Sequence, residues 1–176
     1  MAGERQKAIG ISYVGYGTPG DGVVATSLTE LEAVAKDTVV FNFSDLTETP
    51  VDIEQSDDPL FTILTKSSPD SFEFAIPSPK AAEYGAFMGG TVTGDKYEDD
   101  GTVAQKSLSI VIKTKPVDGK YVQYTFPKCT VSGKPSQAPG KEKTELLLVK
   151  CVRDSCITTA GLRKSSFIRE IVAVEE

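Results

Sequence analysis

A chain of 176 residues is the size of one domain and can bury a core without disulfide or metal staples. It holds 25 acidic and 19 basic residues, a net charge of −6, and no histidine, which excludes Ser-His and Cys-His catalysis and removes the commonest general base. No segment approaches the roughly 18 apolar residues of a membrane span; residues 1–10 hold no apolar run of signal-peptide length, so synthesis and folding in a cytoplasm are expected.

Residues 1–8 read as a flexible N-terminal arm. Ile9, Ile11 and Tyr13 alternate with Gly10, Ser12 and Val14 and predict a first strand. Residues 15–22, with Gly15, Gly17, Gly20 and Gly22, predict a loop. Leu28, Leu31, Val34 and Ala35 fit either a short helix or a strand followed by a turn at Lys36-Asp37. Val39, Phe41 and Phe43, then Val51 and Ile53, alternate with polar residues and predict two strands of an acidic hairpin or loop. Leu60 to Leu64 is the next strand, and Ser68-Pro69-Asp70 turns it into a strand over Phe72 to Ile76.

One convincing helix follows. Ser78 suits an N-cap, Pro79 the first helical position, and Gly89 the left-handed site that ends a helix. A helix of roughly ten residues needs packing to persist, and Ala81, Tyr84 and Met88 share a face that can lie on a sheet. Residues 95–105 predict a polar loop. Leu108, Ile110 and Ile112 alternate cleanly, Pro116-Val117-Asp118-Gly119 signals a hairpin, and the strand from Tyr121 to Phe126 returns. Cys129 and Val131 begin a short strand, and residues 132–143, rich in Gly, Pro, Ser and Lys, predict a mobile loop. Leu146 to Val149 reads as a buried strand; Phe167, Ile168, Ile171, Val172 and Val174 make the last. About nine short strands at hairpin-like spacing give a mainly β chain, a β-sandwich or barrel of eight to nine strands with one short flanking helix and long loops near 45–59, 95–105 and 132–143.

Motifs for chemistry are weak. Gly15, Gly17 and Gly20 satisfy the dinucleotide-binding spacing, but Pro19 interrupts it and no helix opens after Gly20. Asn42-Phe43-Ser44 matches a glycosylation acceptor by chance. Cys129, Cys151 and Cys156 lack the spacing of a zinc site and read as reduced, structural thiols. The carboxylates read as a solvated surface. No catalytic residue, cofactor site or metal site is assigned, and an enzyme is not expected.

Charge is divided along the chain. Residues 1–100 hold 6 basic and 18 acidic residues; residues 101–176 hold 13 basic and 7 acidic. Between residues 37 and 65 stand seven acids and no base. Such a split fits subunits that meet acidic surface to basic surface; equally, the halves can neutralise each other within one fold. Without a basic cluster, the chain is a poor nucleic-acid clamp.

One stretch carries a resemblance. Phe74-Ala75-Ile76, the helix from Ser78 to Met88, Gly89-Gly90-Thr91-Val92-Thr93-Gly94 and Tyr97-Glu98 follow in order. Ser107-Leu108-Ser109-Ile110 and Asp118-Gly119-Lys120-Tyr121 come next. In that order they resemble the major tail tube proteins of long-tailed bacteriophages, over about 55 residues. The resemblance implies one tail-tube domain over residues 1–176, a sandwich or barrel with a flanking helix. It further implies homohexameric rings stacked head to tail into a virion tail tube, with genome DNA passing through the lumen. Partners would be other copies of the chain and tail proteins such as the tape measure and terminator. An extended hairpin near the first third of the chain bridges rings in that family, which points to residues 45–59. Asp45, Glu48, Asp52, Glu54, Asp57 and Asp58 are thereby candidate assembly residues; Tyr84 and Met88 join them on the short helix, which would pack on its own sheet or against the next subunit. The competing readings are a tube or decoration subunit of another phage-like assembly, and a monomeric Ig-like binding module.

Overall fold

The computed structural model describes residues 5–103 and 105–174. Fourteen strands and one helix follow in order: β1 (Ile11–Gly17), β2 (Thr29–Glu30), β3 (Val40–Asn42), β4 (Leu46–Ile53), β5 (Ser56–Lys66), β6 (Ser71–Pro77), α1 (Ala81–Met88), β7 (Thr91–Thr93), β8 (Lys96–Glu98), β9 (Lys106–Thr114), β10 (Lys120–Gln137), β11 (Leu146–Arg153), β12 (Cys156–Ile157), β13 (Arg163–Lys164) and β14 (Ile168–Ala173). Eight strands are six residues or longer and the other six are two- or three-residue pieces. The chain is therefore mainly β with one short helix, as its alternating apolar pattern requires.

The main sheet runs β2-β1-β9-β10-β11-β6-β3, with β14 added to β10. All of its pairings are antiparallel. The 18-residue β10 organises it. One edge of β10 pairs with β9; the other pairs first with β14, over residues 120–125, and then with β11, over residues 129–137. The exchange falls at a register shift between Phe126 and Cys129. Pro127 lies in that shift, where a missing backbone N–H costs no ladder bond and an extra residue bends the strand. Ser109 Oγ donates to the Pro127 carbonyl at 2.5 Å and accepts from Ala25 N–H, holding the bend.

The bend folds the sheet on itself. A strap, residues 31–39, ties one side to the other: Leu31 N–H donates to the Val14 carbonyl, and Ala35 N–H to that of Ala75, both at 2.8 Å. Thr38 Oγ1 accepts from Ala75 N–H. The end strands β2 and β3 do not pair, so the arrangement is sandwich-like and not a closed barrel. Between the layers lie Val14, Leu31, Phe72, Phe74, Ile76, Ile110, Ile112, Phe126, Leu147 and Val149. Phe72 and Phe126 stack across them at 4.1 Å, and Phe41 of β3 meets Tyr124 of β10 at 5.2 Å. Phe72, Phe74, Ile76, Ile110 and Ile112 are alternating residues of the sequence pattern; in β1 a register shift between Ile11 and Tyr13 instead buries Val14, which the pattern placed on the opposite side, and leaves Ile9 exposed.

Helix α1 departs from its predicted start. Ser78 has φ 47° and its hydroxyl meets Thr144, so the chain is still turning there. The cap is Lys80, whose N–H is accepted by the Glu83 carboxylate at 2.8 Å. That reciprocal bond satisfies one of the donors a helix start leaves open. Gly89 ends the helix, but at φ 91° and ψ −148°, a glycine conformation outside the predicted left-handed helical well. Glu83 and Phe87 are the fully buried residues of the helix, while Tyr84 and Met88 of the predicted face are partly buried against the core; Phe87 meets Tyr16 at 5.0 Å and Phe74 at 6.0 Å.

Three predicted loops change. Residues 132–137 belong to β10, paired with β11, leaving only the connection from 138 to 145. Within residues 95–105, Lys96–Glu98 pairs with β7. Residues 45–59 lie in the antiparallel β4–β5 hairpin. Gly15 and Gly17, read as loop glycines, sit in β1, where no phosphate-binding turn forms. Of the predicted N-terminal arm, residues 1–4 lie outside the described residues; Gln6 is tied down, donating to the carbonyls of Val117 at 2.8 Å and Lys120 at 3.2 Å.

Candidate assembly surface

The β4–β5 hairpin forms a two-stranded sheet of its own, apart from the main sheet. Val51 and Ile53 do join an acidic hairpin, but their partners lie in β5; Val40–Asn42 pairs instead with β6. At about 3.3 Å per residue, the eleven residues of β5 extend roughly 35 Å. Every residue of β5 is exposed, and neither strand packs substantially on any other element. An isolated two-stranded hairpin is marginal in water, because it has no second layer to bury against.

Its two faces differ. Directly opposed residues share a face, which places Thr47 with Thr65, Thr49 with Ile63, and Val51 with Phe61 on one side. None of these three pairs carries a charge. The other side carries Leu46 with Lys66, Glu48 with Leu64, and Pro50 with Thr62. Phe61 is 53% exposed and Ile63 45%. Fully burying such side chains is worth about 1.5–3 kcal/mol each, so half-exposed ones forgo a substantial part of that in the free chain.

The predicted acidic residues fall along this arm. Asp45 lies at its root, Glu48 and Asp52 in β4, Glu54 in the turn, and Asp57 and Asp58 at the start of β5, all exposed. Four of them, Asp52, Glu54, Asp57 and Asp58, converge on the tip. Tyr84 and Met88 sit elsewhere, on α1. Tyr84 stacks on Tyr97 at 5.1 Å, which docks the β7–β8 hairpin on the helix. Met88 lies over β10, where a Cβ added to Gly133 would stand 2.9 Å from its Cγ. Both are half-buried within the subunit and remote from the arm in the topology.

A group that the sequence reading passed over fixes the arm's root. Asp70, 3% exposed, precedes β6. Its Oδ1 accepts from Ser44 N–H at 3.1 Å. Its Oδ2 accepts from Lys66 Nζ at 2.6 Å and pairs with the Arg153 guanidinium. Its carbonyl accepts from Arg153 N–H at 2.9 Å. Ser44 Oγ meets Ser67 Oγ at 3.0 Å and accepts from Ser68 N–H. One carboxylate thus joins the strand entering the arm, the strand leaving it, and β11 of the body. Burial alone would push the Asp70 carboxyl up; the bonds from Lys66 and Ser44 and the charges of Arg153 and Lys66 outweigh it and hold the group below the ordinary carboxylate value. Arg153 also lies 5.8 Å from the Phe43 ring. No short motif announces this clamp, since its members are scattered from Ser44 to Arg153.

The thiols offer no chemistry in this setting. Cys129, Cys151 and Cys156 are free and buried. Burial pushes the Cys129 thiol up to about 12, and raises Cys151 and Cys156 as well, so each stays protonated near neutrality. Among the described residues no three His, Cys, Asp or Glu side chains group as metal ligands, and no helix is long and apolar enough to cross a membrane. A cavity of about 680 Å³ opens between β1 and the strap; Glu30, Glu32, Asp37, Lys36 and Lys115 line it beside Tyr13 and Tyr124. No family model and no curated protein matches the chain.

Proposed function

We propose that this chain is a structural subunit that assembles with copies of itself, as a tube-forming virion protein of the long-tailed phage type does. One observation carries the reading: a largely exposed two-stranded arm on which no other element among the described residues packs substantially. Such an arm becomes favourable once a neighbour supplies the second layer. The order of motifs from Phe74 to Tyr121 supports the tail-tube assignment in particular. On that assignment six subunits form a ring, rings stack head to tail, and the tube meets tape-measure and terminator proteins at its ends. The negative net charge supports a lumen that lets DNA slide without holding phosphates.

The test is sedimentation velocity on the wild-type chain and on a variant in which residues 47–65 are replaced by an Asn-Gly turn. Circular dichroism establishes that both are folded. Assembly by the wild type and its loss in the variant support the proposal. A wild type that stays monomeric at every concentration removes it and favours a monomeric binding module.

A further inference from the structure

We draw no further inference here: the strongest candidate, the half-exposed aromatic seam between the edge strands β3 and β14, where Phe41 meets Tyr124 and Phe43 meets Phe167, is an unpartnered apolar face, and nothing in the structure shows what covers it.

Discussion

Replacing Asp70 by Asn tests how the arm is held. Asn keeps an acceptor for Ser44 N–H but removes the negative charge that Lys66 and Arg153 share. Breaking a fully buried ion pair from one side costs about 3–5 kcal/mol. Here the carboxylate is 2% exposed, but the Lys66 and Arg153 side chains are 44% and 22% exposed, so water recovers part of the loss. The expected cost is about 1–3 kcal/mol, or roughly 3–10 °C in Tm for a chain of this size. The pH dependence gives the sharper check. Asp70 has a folded-state pKa below its unfolded value, near 3.9. Its contribution is therefore present above the unfolded value and fades as pH falls through the folded one. Urea unfolding of wild type and Asp70→Asn should differ at pH 7 and converge in strong acid. Hydrogen exchange at the Ser44 amide should be faster in the variant at pH 7. Equal stability at pH 7, or a difference that persists unchanged in strong acid, would refute the clamp.

Gly133 lies where Phe87 and Met88 press on β10. Gly133→Val should therefore lower stability by about 1–3 kcal/mol, and adding Met88→Ala should restore part of it, as a double-mutant cycle in urea would measure. Tyr84→Ala removes the stack on Tyr97 and should cost about 0.5–1.5 kcal/mol beyond the lost burial, with the β7–β8 hairpin becoming the first site of proteolysis. At pH 8 the three thiols should react with a disulfide reagent only in denaturant; rapid labelling of Cys129 or Cys151 in native protein would contradict their burial.

Much of the fold is written in the alternation of Phe72, Phe74 and Ile76, and of Leu108, Ile110 and Ile112, because one face of each strand meets the core. The arm was harder to read for the opposite reason. Leu60 to Leu64 has the apolar character of a core strand, yet β5 has no buried residue. The turn-rich composition of residues 132–137 hid the second half of β10. Gly133 is there because the helix leaves no room for a side chain, and Gly17 in β1 because a Cβ would stand 2.3 Å from the Ser27 carbonyl oxygen. Phe87 was missed because spacing from Ala81 selects the neighbouring helix face. The Asp70 clamp joins residues 44, 66, 70 and 153, a separation that no local pattern reports.

Electron microscopy of the purified chain over a range of concentrations tests the central claim most directly. Rings and hollow tubes are the predicted result, with their loss when residues 47–65 are replaced. A uniform field of single subunits at every concentration and salt would contradict it.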